Sequence, residues 1–338
     1  MDEELEHAVA RANHTRYQPG QRRGHYESFF LRANHPQRRL AFWIRYTIFS
    51  PEGRPEQALG ELWAVYFDGD SGQHVAVKRE VPFAQCAFEN AKFSVRIADA
   101  LLGPGVATGA AAADGHALSW DLSYGGDAPP LFLFPLRLYR TALPKAKSLV
   151  GLPLARFAGA LVVDGRRVDV ADWVGSQNHN WGARHTDHYA WGQVAGFDAH
   201  PDSFLEVATA RLKIGPLWTP FMTVLVLRHR GTEIALNSPR QMWRARGSFD
   251  YFRWRFCAMN DTHRVEGTIS APRETFVGLR YGNPPGGIKH CLNSKLAACE
   301  LTVSDRRGGS SAETLSTAHR AAFEILTDED GHGVAMRV

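Results

Sequence analysis

Residues 172–198 read Asp-Trp-Val-Gly-Ser-Gln-Asn-His-Asn-Trp-Gly-Ala-Arg-His-Thr-Asp-His-Tyr-Ala-Trp-Gly-Gln-Val-Ala-Gly-Phe-Asp. Trp173, Trp181 and Trp191 share this stretch with His179, His185 and His188. A buried indole or imidazole N–H needs a partner, so a core assembled for stability alone uses aliphatic residues instead. The concentration of both ring types marks a candidate site. Read as extended chain, residues 185–197 alternate: His185, Asp187, Tyr189, Trp191 and Gln193 fall on one face, and Thr186, His188, Ala190, Gly192 and Val194 on the other. The first set combines aromatic walls with groups that exchange protons, the lining expected of a ligand-binding barrel interior. The second, small apart from His188, suits packing against a neighbouring sheet.

The same period of two runs outward in both directions. Segments 40–49, 60–67, 75–81, 204–214, 222–228 and 265–270 are short and rich in aromatic or β-branched residues. Turn signals such as Asp164-Gly165 and Asn283-Pro284-Pro285-Gly286-Gly287 separate such segments. This is the pattern of an all-β fold, and its two halves of similar character predict two barrels with few helices. The expected organisation is an N-terminal helix or arm over 1–20, where Leu5, Val9 and Ala12 recur at helical spacing within 2–13, then barrel domains over 21–175 and 176–338. Residues 314–322 fit a closing strand or the start of a helix equally well.

Composition sets further bounds. With 44% hydrophobic and 22% charged residues in 338, the chain has enough apolar material for large cores. Its 39 basic and 35 acidic residues are interspersed, without the polybasic arm that a nucleic-acid partner requires. No apolar run reaches the ~20 residues of a membrane-spanning helix, and Met1-Asp2-Glu3-Glu4-Leu5 is acidic where a signal peptide is basic. The expectation is a cytoplasmic protein without an integral membrane segment. Cys86, Cys257, Cys291 and Cys299 include no Cys-x-x-Cys pair and read as reduced thiols. Oligomeric state is not legible.

Within the central stretch, His179 and Trp181 lie two residues apart among Asn178, Asn180 and Gly182. One imidazole nitrogen can face a substrate while the other is held by a partner, with Asp172 and Asp187 the candidates. The alternative is architectural: Trp181 plugs a barrel end and His179 bonds a loop carbonyl. His179, His185, His188 and Asp187 would supply enough ligands for zinc, but strand parity points His188 away from His185, and no His-Glu-x-x-His is present. Neither a Gly-x-Ser-x-Gly elbow nor a phosphate loop occurs. Glu206 shares a parity with Phe204, Ala208, Ala210, Leu212 and Ile214, and a carboxyl on such a face keeps its proton near neutral pH unless Arg211 or Arg184 pairs with it. Glu27, beside Tyr26 and Ser28, poses the same question in the first half.

Tyr26-Glu27-Ser28-Phe29-Phe30, Asn178-His179-Asn180-Trp181-Gly182 and Cys291-Leu292-Asn293-Ser294-Lys295 together resemble the superfamily of carotenoid 1,2-hydratase (hydroxyneurosporene synthase), AttH-like and tocopherol-cyclase-related proteins. The resemblance spans roughly residues 24–326 and is specific only in the central motif. It implies two consecutive lipocalin-like (calycin-type) antiparallel barrels and a ligand site between or within them. It also implies hydration or cyclisation of apolar polyenes or prenylated molecules. The superfamily's Asp-His-x-Trp-Gly reads Asn178-His179-Asn180-Trp181-Gly182 here, so a carboxylate is replaced by an amide, and His179 and Trp181 alone carry over.

The expectation is an enzyme that acts on an apolar alkene-bearing or isoprenoid-like molecule by protonation followed by water addition or ring closure. The candidate acids or relays are His179, Asp187 and Glu206. Substrate contacts are expected from Trp181, His185, Tyr189, Trp191, Gln193 and Glu27, with no cofactor and no metal. The competing expectation is a carrier that binds a lipid or isoprenoid without changing it.

Overall fold

The computed structural model describes residues 3–308 and 311–338. Residue 2 of the expected N-terminal helix therefore lies outside the described residues; the helix itself is α1, Glu3–Ala10. Antiparallel strands make up most of the rest. The first half contains β1 His25–Asn34, β2 Leu40–Ser50, β3 Leu59–Asp68, β4 His74–Pro82, β5 Cys86–Phe88, β6 Val95–Ile97, β7 Ala100–Gly103, β8 Val106–Ala113, β9 His116–Gly125, β10 Leu131–Phe132, helix α2 Leu136–Tyr139, β11 Ala146–Val163 and β12 Arg166–Gly182. The second contains β13 His188–Ala195, β14 Phe204–Arg211, β15 Lys213–Ile214, β16 Leu217–Trp218, β17 Met222–His229, β18 Thr232–Leu236, helix α3 Pro239–Arg244, β19 Arg246–Asp250, β20 Arg253–Met259, β21 His263–Ser270, β22 Val277–Gly282, β23 Ile288–Asp305 and β24 Glu313–Thr327.

The first sheet runs β4-β3-β2-β1-β12-β11-β9-β8-β7-β6-β5, with β10 on β11, and the second β18-β17-β14-β13-β24-β23-β21-β20-β19, with β22 on β23. Both are antiparallel and rolled, so the expected all-β architecture of two lipocalin-like units holds. The expected division between residues 175 and 176 falls inside β12, which pairs with β1 from Asn34↔Val174 through to Tyr26↔Gly182. The segment 314–322, open between helix and strand, is strand within β24.

Each sheet curls around its own apolar core. The first core includes Phe29, Leu31, Phe42, Ile44, Leu62, Leu122, Phe157 and Trp173. The second includes Ala190, Val194, Leu205, Val207, Trp254, Phe256, Ile269 and Phe323. Side chains of the opposite parity face out of each sheet, and there the two halves meet. Phe30, Trp43, Trp63 and Val65 of the first sheet pack on Trp191, Leu279, Tyr281, Leu296 and Leu326 of the second half.

This packing reverses the expected parity of the central stretch. Ala190 and Val194 lie in the second core, and a Cβ on Gly192 would stand 2.4 Å from Ile269 Cδ1 and 2.9 Å from the Trp254 ring. Tyr189, Trp191 and Gln193 point outward, toward the first sheet. The small residues are small because they fill a crowded barrel interior; the aromatic and polar ones line the seam between barrels. Strand alternation fixes which residues share a face but leaves open which face is inside.

Candidate active site

The seam is built from the outward faces of β1, β2 and β12 against those of β13, β14, β23 and β24. At its centre Gln193 uses its whole amide. Its Oε1 accepts from Arg32 Nε (2.8 Å) and Ser176 Oγ (2.6 Å), and its Nε2 donates to Asn178 Oδ1 (2.8 Å) and Glu206 Oε2 (2.7 Å). Trp191 Nε1 donates to the other carboxyl oxygen of Glu206 at 2.8 Å. Arg32 Nη2 reaches the Gln193 carbonyl (3.2 Å), and its Nη1 reaches Asn34 Oδ1 (2.6 Å) and the Arg320 carbonyl (3.3 Å). Asn34 in turn donates to the Lys295 carbonyl at 2.6 Å. Every one of these bonds except that between Arg32 and Asn34, both on β1, joins two different strands of the seam.

Burial raises Glu206 to about 7, against the hydrogen bonds from Trp191 and Gln193 and the nearby charge of Arg32. Neither Arg211 nor Arg184 is its partner: Arg211 lies against the Trp218 and Phe221 rings, and Arg184 pairs with Asp187. Glu206 is 1% exposed, so it is a carboxyl that exchanges its proton near neutral pH in a nearly dry setting. The same burial lowers Arg32 to about 9.

A second set of ionisable groups shares the seam and escapes sequence reasoning. Lys295 Nζ donates to Glu324 Oε1 (2.6 Å) and Asn293 Oδ1, and lies 5.5 Å from the Trp191 ring centre. Arg45 donates Nε and Nη2 to Ser28 Oγ at 2.8 and 2.6 Å and stands 4.4 Å over the Tyr281 ring. Ser28 and Lys295 belong to the two outer motifs that carried the resemblance. Their place on outward strand faces was the available signal, obscured because the facing strands are far away in the sequence, Tyr281 from Arg45 and Trp43 from Lys295.

The remaining sequence candidates fall elsewhere. His179 and Trp181 are on the opposite face of β12 from Asn178, at one end of the first barrel. There His179 Nδ1 meets the Ala12 carbonyl at 2.7 Å and Nε2 meets Glu27 Oε1 at 2.8 Å. The orienting partner is thus Glu27, not Asp172 or Asp187. His179 stacks on Phe29 with ring centres 4.1 Å apart, and Trp181 lies 4.6 Å from it. Burial pushes His179 below the ordinary histidine value, and Glu27 works against it. Two acceptors facing the ring nevertheless require a proton on each nitrogen, so the contact geometry describes an imidazolium on a carboxylate.

Glu27 receives more than that. The backbone N–H groups of Arg16 and Tyr17 donate to it at 2.7 to 3.0 Å, and His25 Nε2 lies 3.1 Å from Oε2. Burial alone would raise this carboxyl, but the hydrogen bonds from His179 and His25 outweigh it and hold Glu27 at about 2. Glu27 and Glu206 are both buried, and hydrogen bonding separates their protonation states. His179 and Glu27 hold the segment that follows α1 across the barrel end.

His185 stacks on Tyr26 at 4.0 Å, and burial, helped by Arg45, lowers it to about 3. Asp187 accepts from Arg184 Nη2 and from the Lys213 backbone N–H (2.9 Å), an anchor for the turn before β13. His188 packs among Trp218, Phe221 and Phe249, so the weighed zinc ligands do not converge. Among the described residues, one group of His, Cys, Asp or Glu brings its ligand atoms within 4.8 Å of one another: His200, His229 and Glu313. Arg230 Nη2 donates to Glu313 Oε1 at 2.7 Å, and Ser203 Oγ lies 2.8 Å from His229 Nδ1, which makes the group an ion-pair cluster joining strand ends. Concavities of about 270 and 460 Å³ lie on other faces, by Arg166 and Trp173 and by Arg255 and Glu300.

Comparison with known proteins agrees with this architecture. No family model matches the chain. Uncharacterized proteins from two strains of Mycobacterium tuberculosis, CDC 1551 / Oshkosh and ATCC 25618 / H37Rv, are each 27% identical over 297 residues, which is 88% of this chain and 85% of theirs. Three solved structures share the fold. One is a protein of Nitrosomonas europaea described as an AttH (TM-score 0.53, 12% identity, 90% of this chain and 92% of that one). The second is kievitone hydratase from Nectria haematococca (0.52, 10%, 92% and 91%). The third is CghA, solved with Sch210972 (0.51, 10%, 91% and 90%). No helix of the described residues is long and apolar enough to cross a membrane. The chain therefore has the two-sheet fold shared by an AttH-type protein, kievitone hydratase and CghA.

Proposed function

We propose that this protein is an enzyme of the AttH-like and hydratase or cyclase superfamily, acting on an apolar, alkene-bearing molecule held in the seam between its two barrels. The observation that carries this reading is Glu206: a carboxyl at about 7, 1% exposed, fixed by Trp191 and Gln193 beside an aromatic wall. Protonating an alkene needs an acid that still holds its proton near neutral pH and surroundings that do not compete for it. The protonated carbon skeleton is a carbocation, which the face of an indole or phenol ring attracts. Glu206 would deliver the proton to one alkene carbon. Water would then add to the other and return a proton to the Glu206 carboxylate, or an internal nucleophile would close a ring with the same return.

Within this reading Glu206 replaces His179 and Asp187 as the acid, because His179 is committed to Ala12 and Glu27, and Asp187 to Arg184 and the Lys213 backbone. Trp191 and Tyr189 are the proposed wall, Gln193 the positioning amide, and Asn178, in the family's Asp position, tunes the acid through Gln193. The fold likeness to kievitone hydratase supports a hydration chemistry.

The test is to incubate the protein with a panel of prenylated and polyene compounds and weigh what is extracted. An enzyme yields a product heavier by one water, or an isomer. Glu206→Gln is expected to lower its formation by about 10²- to 10⁴-fold while ligand still co-purifies. Unchanged extracted compound from the wild-type protein across the panel would instead establish the carrier.

A further inference from the structure

Away from the seam, at one end of the second barrel, three side chains of metal-ligating type converge from three separate elements. His200 comes from the turn between β13 and β14, His229 from the last position of β17 and Glu313 from the first position of β24. His229 Nε2 stands 3.1 Å from Glu313 Oε2 and His200 Nε2 stands 3.3 Å from Glu313 Oε1. One ligand atom from each of the three lies within 4.8 Å of the others. The two imidazoles meet edge to face, ring centres 5.1 Å apart. A tetrahedral zinc ion with bonds of about 2.0–2.1 Å keeps its ligand atoms about 3.3–3.4 Å from one another, which is close to both carboxylate contacts.

Backbone bonds, and not the three side chains themselves, fix this arrangement. Around His200 the chain closes on itself: the N–H groups of Phe197 and Ser203 donate to the His200 carbonyl at 3.0 and 3.1 Å, and His200 N–H donates to the Phe197 carbonyl at 3.2 Å. Asp198 N–H donates to the Ser316 carbonyl at 2.9 Å, which ties the turn to β24 just beyond Glu313. The end of β17 is set beside the turn by Phe204↔Arg228 and beside β18 by His229↔Thr232. Ser203, 2% exposed, holds the far side of the second imidazole, its Oγ 2.8 Å from His229 Nδ1. A metal-bound imidazole ordinarily donates its far N–H to such a fixed acceptor. With Nδ1–H given to Ser203, the Nε2 lone pair faces Glu313 Oε2 across 3.1 Å, and two acceptors that close require a cation between them. Arg230 is the competitor, since its Nη2 donates to Glu313 Oε1 at 2.7 Å, but that side chain is 70% exposed. An exposed pair of this kind contributes little, so the guanidinium can give way to a more highly charged ion.

We propose that His200, His229 and Glu313 bind zinc through His200 Nε2, His229 Nε2 and the Glu313 carboxylate, with Ser203 as the residue that positions His229. Two imidazoles and one carboxylate suit a transition ion of this kind, whereas calcium and magnesium take oxygen ligands in larger number. A zinc ion with three protein ligands keeps a fourth position for water or an anionic oxygen, while closed structural sites take four. The His200 and Glu313 side chains are 23% and 26% exposed, so that position opens to solvent. The site stands apart from the chemistry proposed for the seam. From Ser203 to Glu206 the chain advances three residues along β14, about 10 Å, and the two readings succeed or fail separately.

The test uses the full chain without an affinity tag, stripped with a chelator, exchanged into chelator-free buffer and titrated with zinc chloride by calorimetry. One equivalent is expected to bind with a micromolar or lower Kd and to raise the melting temperature as its concentration rises. His200→Ala and Glu313→Gln, both at the solvent edge of the site, should each weaken binding by about ten-fold or more, and Ser203→Ala by a smaller factor. Arg230→Gln should bind zinc at least as tightly as wild type, because it removes the competing cation. Cobalt(II) in place of zinc should show the strong visible absorption of a four-coordinate ion, lost in His200→Ala. Absence of zinc binding would overturn the proposal. So would equal affinity in wild type, His200→Ala and Glu313→Gln, which would assign the zinc to other imidazoles or thiols. Weaker binding in Arg230→Gln would show that the cluster depends on its ion pair, and displacement of zinc by calcium or magnesium would exclude the ligand class.

Discussion

Glu206 and Glu27 show how two glutamates, each buried in a strand, reach opposite protonation states. Glu206 has two side-chain donors and near-complete burial; Glu27 has backbone N–H groups, two imidazoles and an ionised fate. The pH consequences have opposite sign. Raised from an ordinary 4.5 to about 7, Glu206 contributes stability that is complete below 4.5 and is lost as pH rises through 7. The loss is on the order of 3 kcal/mol. Chemical denaturation of wild type and Glu206→Gln at pH 4 and pH 8 should therefore show the variant gaining relative stability at the higher pH, and a constant difference would refute the raised value. If Glu206 is the acid, the rate of product formation at saturating substrate should also fall tenfold per pH unit above 7. Glu27, lowered from 4.5 to about 2, contributes stability present above 4.5 and lost as pH falls toward 2. Glu27→Gln should be less stable than wild type at pH 7 by roughly 3 kcal/mol, with the gap closing in acid.

At the scale of elements, the period-two pattern that revealed the strands also set the limit of what was legible. The broad strand segments around the central stretch are strands, because alternation and turn residues act locally, although 204–214 breaks after Arg211 and Lys213–Ile214 pairs with Leu217–Trp218 in a separate small sheet. The inside–outside assignment of β13 is not local: Ala190, Gly192 and Val194 are interior only because β14 and β24 wrap them around Trp254 and Ile269. Gly192→Ala is accordingly expected to cost about 1–3 kcal/mol, since the added methyl meets two core side chains. If β13 faced the other way, that substitution would be nearly neutral in a denaturant melt. Glu206 was legible, since an acidic residue on an apolar strand face carries its own signal. Arg45 and Lys295 were not, because each looks like an ordinary strand cation until the partner sheet is present. His179 stands out in the sequence, but its partner Glu27 lies 152 positions away and no spacing announces that pair.

Across the whole molecule, Arg32 ties one sheet to the other through the side chain and carbonyl of Gln193 and the Arg320 carbonyl. Arg32→Met leaves those acceptors buried and short of donors, and is expected to lower stability by about 3–5 kcal/mol. Calorimetry should then resolve two transitions where the wild-type chain unfolds in one, as the sheets lose their coupling. A single sharp transition in the variant would mean that the aromatic contacts of the seam suffice. The place of β1, between β2 on one side and β12 on the other, has a temporal meaning as well. A ribosome delivers chain at about 5–20 residues per second, so the first hairpins are complete many seconds before residue 182 emerges. Until then β1 has an open edge, and the Ala12 carbonyl lacks the imidazole of His179 that holds it in the finished chain. The first strand to be made gains its second neighbour only when β12 is complete, and the nascent protein carries an open, aromatic-rich border through nearly half of its own synthesis.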